Sequence, residues 1–180
     1  MNNKSVYDSP KNSGKIERHI LTILVDNEPG VLARVVGMFS GRGYNIESLN
    51  VAEVSTNEHL SRITVVTEGT IDVIDQIRSQ LMRIVPVHNV HDLTEEGSSV
   101  EAEVALVLIH SDNKKEVYRI CDIYRARKIE NENNSIIFEI AGTSERIDSF
   151  INDISKIGKI EIVRSGPVAL SGKIEAEEEK

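Results

Sequence analysis

Short apolar runs alternate with polar turns along the chain, and their spacing switches between strand and helix periods. From Arg18 to Val25, the apolar residues Leu21, Ile23 and Val25 fall on one face, which is typical of a strand. The next apolar positions recur at helical spacing: Val31, Leu32, Val35, Val36 and Phe39. Gly41 and Gly43 then end the predicted helix.

Further elements follow in the first half of the chain. The pattern predicts strands at Asn45–Val54, Leu60–Thr67 and Ile84–Leu93. Between the last two lies a helix, marked by Ile71, Ile74, Ile77 and Leu81. Because proline has no backbone N–H, Pro86 places its strand at a sheet edge or bulge. The resulting order, β-α-β-β-α-β, is the ferredoxin-like arrangement.

The same order begins again after a short polar linker at Thr94–Ser99. The predicted elements are a strand at Val100–Ile109, a helix with Val117, Ile120, Cys121 and Tyr124, a hairpin turning at Asn133-Asn134, a helix containing Ile147, Phe150, Ile151 and Ile154, and a strand at Ile160–Arg164. We therefore predict an α+β protein made of two tandem ferredoxin-like βαββαβ domains.

These elements divide the chain into four regions. Residues 1–16 form a polar arm expected to be disordered, and residues 173–180 form an acidic, solvated tail. The domains span residues 17–94 and 100–172. Domains of this size are marginal alone, so we expect an open sheet edge to pair with a second copy of the chain.

Composition excludes several classes of function. No run approaches the ~20 apolar residues that a membrane span needs. The chain starts without an apolar signal segment, so we expect a cytoplasmic protein. A net charge of −8 argues against nucleic-acid binding, and with 4% aromatic residues the strands offer few rings on which RNA bases stack.

The sequence contains no recognisable catalytic constellation. It lacks a phosphate-binding Walker loop and a nucleophile elbow. His88 and His91 are three residues apart on a predicted strand, so they point to opposite faces, and no metal site is expected. Cys121 is the only cysteine and falls on an apolar helix stripe, which indicates a buried structural thiol.

The segment Asp26-Asn27-Glu28-Pro29-Gly30 is the strongest candidate for a binding site. A strand-to-helix turn of this composition leaves backbone N–H groups pointing outward, and these suit a small carboxylate. Plain helix capping is the alternative, because Asn27 is a natural N-cap and Pro29 fits the first helical turn. From the residues alone, both interpretations stay open.

The same residues resemble a known family. Residues 26–35, DNEPGVLARV, resemble the strand-to-helix turn of ACT domains, which sense amino acids. Residues 39–49, FSGRGYNIESL, and 60–62, LSR, are similar to the regulatory small subunit of acetohydroxyacid synthase, also called acetolactate synthase. In the second half, AGTS at 141–144 and VRSGPVALS at 163–171 agree, so the resemblance covers about residues 17–172.

The resemblance implies a regulatory chain without activity of its own. Such a chain activates a catalytic large subunit and confers feedback inhibition by a branched-chain amino acid, with valine as the expected effector. Thiamine diphosphate, Mg and FAD are then expected only on the catalytic partner, with no cofactor in this chain. Homodimerisation through the N-terminal ACT domains is implied too, with the effector between the two copies.

Carried over by residue, the resemblance assigns Asn27 and Gly30 to the turn that holds the effector and Asn45 to a polar contact at the second strand. Gly30 lets its N–H approach a carboxylate closely, and both asparagines carry donor and acceptor groups. The expected effector-binding set is completed by Pro29, Val31, Leu32 and Ile46. Val31 and Leu32 suit an apolar wall, although at least one of them is expected in the core.

A second interpretation is a free-standing ACT-type amino acid sensor that acts on a different partner. The ending Arg164-Ser165-Gly166 of the second domain favours the synthase subunit over that alternative. The chain departs from the family pattern at Tyr124-Arg125-Ala126, where a Phe-Arg-Gly sequence is expected. A partner contact by these residues is therefore the least supported part of the resemblance.

Overall fold

The computed structural model describes residues 14–97, 99–132 and 135–172. The chain divides into two compact units, Met1–Ser98 and Ser99–Lys180. Most of the arm that was predicted to be disordered lies outside the described residues. The acidic tail and the predicted turn at Asn133-Asn134 lie outside them too. Each unit builds its own sheet and its own core, and the two are described separately.

Unit 1 is a four-stranded antiparallel sheet covered by helices. Its elements are β1 (Glu17–Asp26), α1 (Val31–Gly41), β2 (Ser48–Ser55), β3 (Leu60–Gly69), α2 (Ile71–Leu81), β4 (Val87–Asp92) and the single-turn α3 (Leu93–Glu96). The strand order is β2-β3-β1-β4, so β2 and β4 are the edges. In the β1–β3 register, Asp26 pairs with Leu60 and His19 pairs with Thr67.

The core of unit 1 lies between the sheet and helices α1 and α2. Branched aliphatic residues dominate it, since alternate residues of β1 and β3 face the helical stripes. The fully buried members include Leu21, Ile23, Val35, Phe39, Val65, Ile77 and Leu81. This packing places the end of β1 and the start of α1 at one rim of the sheet, where the candidate turn is exposed.

Unit 2 repeats the plan with one additional strand. Its elements are β5 (Ser99–His110), α4 (Lys114–Ile123), β6 (Arg127–Glu132), β7 (Ser135–Gly142), α5 (Ser144–Ile154), β8 (Lys159–Arg164) and β9 (Val168–Ser171). The main order is β6-β7-β5-β8, and β9 pairs with the first part of β5. Phe138, Phe150 and Ile147 are fully buried in its core.

The structure confirms the predicted α+β class and the repeated βαββαβ order. Pro86 lies just before edge strand β4, and the β1–β4 register shifts between Leu24 and Val25, as the proline indicated. Two strand starts and two elements differ from the prediction. Strand β2 begins at Ser48 and not at Asn45, and β4 begins at Val87 and not at Ile84. Asp92 accepts hydrogen bonds from Thr94 N and Glu95 N and so starts helix α3, where a linker was expected. Strand β9 was not predicted, because four residues carry too little periodicity to be recognised.

Candidate functional site

The turn between β1 and α1 leaves the first helical N–H groups without a side-chain partner. Gly30 is the N-cap of α1 and adopts left-handed backbone angles, φ 88° and ψ −5°, which only glycine reaches readily. No side chain caps this helix, and its first turn holds no acidic residue. A Cβ placed on Gly30 would have no neighbour within 4 Å, so the space beside its backbone is open.

Backbone hydrogen bonds from two neighbouring segments hold the turn in place. Asp26 N donates to Pro86 O at 2.9 Å, and Asn27 N donates to His59 O at 2.6 Å. The Asp26 carboxylate also lies 2.6 Å from His88 Nε2. These contacts fix the start of the turn and leave the Asn27 and Glu28 side chains exposed to solvent.

Two of the capping predictions for this turn are wrong. Asn27 lies three residues before the N-cap, too early for its side chain to accept from the second or third helical N–H in the usual way. Pro29 directly precedes the N-cap and is not in the first helical turn. The reason is that Gly30 takes the left-handed conformation and shifts the helix start to Val31. Plain capping therefore does not account for Asn27.

Two roles were considered for Val31 and Leu32, an apolar wall of the binding site and packing in the core. Val31 is 2% exposed and belongs to the core, whereas Leu32 is 40% exposed on the outer side of the first turn. A helix turns about 100° per residue, so neighbouring positions point in different directions. Of the two, only Leu32 presents an apolar side chain beside the open turn.

Asn45 and Ile46 lie in the segment that leads into β2. The Asn45 carbonyl accepts a hydrogen bond from Thr67 Oγ1 at 2.7 Å, and its side chain is exposed. Ile46 is half-buried against the core of unit 1. Both residues therefore lie beside the far end of β3, next to Thr67.

The predicted site residues do not meet within one copy of unit 1. The Asn27–Gly30 turn lies beside Leu60 at the start of β3, while Asn45 lies beside Thr67. These two positions of β3 are separated by seven residues, which is roughly 23 Å along a strand. A small amino acid cannot touch both groups in a single copy.

The remaining candidates for chemistry have structural explanations. Cys121 is 2% exposed, and burial raises the pKa of its thiol to about 12. The predicted buried structural thiol is thus confirmed. His91 lies 2.7 Å from Asn89, and within the described ranges no three His, Cys, Asp or Glu side chains are arranged to hold a metal ion. No helix in the described part of the chain is long and apolar enough to cross a membrane.

Sequence reasoning missed the support that β4 gives to the turn. His88 lies on the surface, with its side chain 49% exposed, and it also contacts Asp26 across the sheet edge. The bulge between Leu24 and Val25 and the carbonyl of Pro86 complete this support. Only the pairing of β1 with β4 brings these residues together, so no local sequence signal reveals them.

Comparisons with known proteins point in one direction. Residues 21–89 match the family described as AHAS small subunit-like ACT domain, and residues 102–173 match the family described as small subunit of acetolactate synthase. The acetolactate synthase isozyme 3 small subunit of Escherichia coli is 43% identical over 157 residues, which cover 86% of this chain and 95% of that protein.

Relatives with lower sequence identity give the same result. The acetolactate synthase small subunit of Aquifex aeolicus is 34% identical over 170 residues, covering 93% of this chain and 88% of that protein. The crystal structure of the small subunit from Thermotoga maritima superposes with a TM-score of 0.78 at 34% identity, covering 88% and 99% of the two chains. The similarity therefore includes both units.

Proposed function

Because the chain belongs to the acetolactate synthase small-subunit family, we propose that it is a regulatory subunit that activates the catalytic large subunit and makes it sensitive to a branched-chain amino acid. Valine is the expected effector. The observation that carries this proposal is the open turn at Gly30, whose helix begins without a side-chain cap.

The turn offers what an amino acid carboxylate needs. Val31 N donates to Glu28 O at 3.4 Å, while the N–H groups of Leu32 and Ala33 have no acceptor within the helix, and the positive end of the helix dipole lies at the same point. Oriented N–H groups at a helix start bind carboxylates and phosphates in many proteins. The exposed side chain of Leu32 supplies an apolar surface for the branched side chain of the effector.

The distance between Asn27 and Asn45 supports an effector site shared by two copies. Strand β2 is an edge of its sheet, and none of its residues is buried. Val51 and Val54 are 44% and 47% exposed on this strand, and an open edge of this kind suits pairing with another strand.

Antiparallel pairing of two β2 strands brings the start of one beside the end of the other. The end of β2 pairs with Leu60, which lies opposite Asp26 at the start of the turn. Asn45 of one copy then approaches the Asn27–Gly30 turn of the other copy. A homodimer of this kind builds two equivalent effector sites.

The second candidate is a free-standing amino acid sensor that acts on a different partner. The match of unit 2 to the acetolactate synthase small subunits favours the synthase over this alternative. In the proposed assembly, thiamine diphosphate, Mg and FAD remain with the catalytic large subunit, and this chain contributes no group to the reaction.

A two-part experiment tests the proposal. First, the purified chain is melted with and without valine, leucine and isoleucine, since a ligand at 100 times its dissociation constant adds about 2.7 kcal/mol of stability. Second, the chain is mixed with the catalytic large subunit, and acetolactate formation is measured with and without the same amino acids. Activation together with a selective melting shift supports the proposal, whereas a selective shift without activation supports the free-standing sensor.

A further inference from the structure

A buried histidine near the start of β1 has one ring nitrogen without a partner. His19 is 4% exposed, and its Nδ1 lies 2.7 Å from Asp92 Oδ2. Asp92 is 2% exposed and also accepts from Thr94 N at 3.0 Å and Glu95 N at 3.4 Å. Both oxygens of the Asp92 carboxylate are thus in hydrogen-bond contact, and His19 reaches one of them through Nδ1.

The second ring nitrogen of His19, Nε2, is buried, and none of the described residues forms a hydrogen bond with it. His19 and Asp92 line a partly enclosed cavity of about 100 Å³. Buried polar atoms are nearly always satisfied, so an unpartnered one at a cavity indicates a missing polar group.

The walls of the cavity define the kind of group that fits. Besides Asp92, the carboxylates of Glu17, Asp75 and Glu95 line it. Among the described residues, Lys15 pairs with Glu17, and Arg78 contacts Asp75 and Glu95. The described residues that line the cavity include four carboxylates and no lysine or arginine, which favours a cation and disfavours an anion.

The cavity has an apolar side as well. Ile71 and Ile74 of helix α2 line it opposite the carboxylates. A volume of 100 Å³ equals about three water molecules in the liquid, so it accommodates a ligand of roughly three heavy atoms. No three metal-ligating side chains are arranged for a metal ion within the described ranges, which favours a ligand that binds through hydrogen bonds.

We propose that this cavity binds a small primary alkylammonium ion. One N–H of the ammonium donates to His19 Nε2, the acidic rim balances its charge, and the alkyl part packs against Ile71 and Ile74. The site is separate from the Gly30 turn, because His19 and Asp26 are seven residues apart on β1, roughly 23 Å. Its acidic rim rejects the carboxylate of an amino acid effector.

The test uses the full chain labelled with 15N on histidine. Ethylammonium chloride is the probe, and long-range 1H–15N spectra follow the ring nitrogens of His19. Tetramethylammonium chloride at the same ionic strength is the control, since it carries the charge but has no N–H donor. We expect a saturable shift of His19 Nε2 with ethylammonium and none with tetramethylammonium.

A pair of surface variants keeps the test independent of folding. Glu95→Gln removes one charge from the rim and should weaken ethylammonium binding about three-fold, the scale of an exposed charge interaction. Glu58→Gln changes an exposed residue of the β2–β3 turn and should leave the affinity unchanged.

Three results would overturn the proposal. A shift that does not saturate means that the cavity holds only water, and equal shifts with both cations mean a bulk ionic effect. Saturation by zinc at micromolar concentration, without an ethylammonium response, means that the site binds a metal instead. Each of these results leaves the proposed effector site at Gly30 untouched, so the two proposals fail separately.

Discussion

The β1–α1 turn of unit 1 and the β5–α4 turn of unit 2 lie at the same position in the two repeats. They differ in how they satisfy the N–H groups at the start of the following helix. Helix α4 begins at an N-cap, Asn113, whose side chain accepts from Glu116 N at 3.2 Å. Ser111 Oγ accepts from Asn113 N and donates to Ile157 O, so the approach to the helix is also satisfied.

The turn of unit 1 has one backbone hydrogen bond at the helix start, from Val31 N to Glu28 O at 3.4 Å, but no side-chain cap. Gly30 replaces the capping side chain, and the first turn of α1 contains no acidic residue to balance the helix dipole. In α4, Glu116 fills that role and pairs with Arg119 at 2.6 Å. A repeat that satisfies its own donors is a structural element, whereas a repeat that leaves them open is suited to a ligand.

The largest expected effect is at Gly30. Gly30→Asp places a carboxylate where the carboxylate of the effector is proposed to bind. Losing a hydrogen bond to a charged group is worth about 1.5–3 kcal/mol, so the effector concentration for half inhibition should rise at least about ten-fold. Activation of the catalytic subunit should persist, as measured by acetolactate formation without effector.

Gly30→Asn is the matched control for this change. Asn and Asp are nearly the same size and tolerate the left-handed conformation about equally, so both variants carry the same backbone strain. We expect Gly30→Asn to keep part of the inhibition. Equal loss in the two variants would assign the effect to backbone strain and not to charge.

The next largest effect, on the free energy of unfolding, is expected at the Glu103–Arg164 ion pair of unit 2. Glu103 is 2% exposed and accepts from Arg164 Nε at 2.7 Å and Nη2 at 2.8 Å, and from Ser144 Oγ at 2.9 Å. Glu103→Gln breaks this pair, and because Arg164 keeps Asp148 as a partner we expect a loss of about 2 kcal/mol in the free energy of unfolding. Urea unfolding measures it, and effector affinity should not change.

Lowering the pH should weaken the Glu103–Arg164 ion pair. The Arg164 guanidinium lowers the pKa of Glu103 in the folded state, with Ser144 contributing. Glu103 therefore stabilises the fold above its unfolded pKa, and this stabilisation disappears as the pH falls through the lower folded pKa. The difference in melting temperature between the wild type and Glu103→Gln should shrink below about pH 4, near the pKa of an unperturbed glutamate. A difference independent of pH would show that the charge of Glu103 is not what stabilises the unit.

Removing the cap of α4 should have a smaller effect. Asn113→Ala removes the side-chain acceptor of Glu116 N, which keeps only the Asn113 carbonyl at 3.1 Å, and should lower the free energy of unfolding by about 1 kcal/mol. Effector binding should stay at the wild-type level. A change of effector affinity in Asn113→Ala would contradict the claim that the turn of unit 2 is only structural.

The smallest effect on stability is expected for Asn27→Ala. The Asn27 side chain is exposed and does not cap α1, so the free energy of unfolding should change by less than about 0.5 kcal/mol. Weaker effector binding at unchanged stability supports a contact with the ligand. Lower stability at unchanged affinity would mean that Asn27 supports only the turn.

The repeated fold was predictable because its core follows simple periods. Leu21, Ile23 and Val25 alternate along β1, and Ile74, Ile77 and Leu81 share one face of α2, so local patterns mark the buried face of each element. Strand β9 escaped prediction because its pairing with β5 depends on tertiary contacts.

The candidate site was predictable only in part. Gly30 was recognisable from residue type and position, but the helix start depends on its backbone angles, which placed Asn27 and Pro29 outside the helix. The distance between Asn27 and Asn45 depends on strand register, and no sequence pattern reports it. The Asp26–His88 contact depends on the pairing of β1 with β4 in the same way.

Mixed dimers test the central claim, an effector site shared between two copies, most directly. Two tags on the chain allow purification of heterodimers, and equilibrium dialysis with labelled valine counts the sites. Gly30→Asp paired with Asn45→Ala should bind one valine per dimer, because one site then combines an intact turn with an intact Asn45. The double variant paired with wild type should bind none. The reverse result, no site in the first dimer and one in the second, would contradict the shared site and place the whole effector site within a single copy.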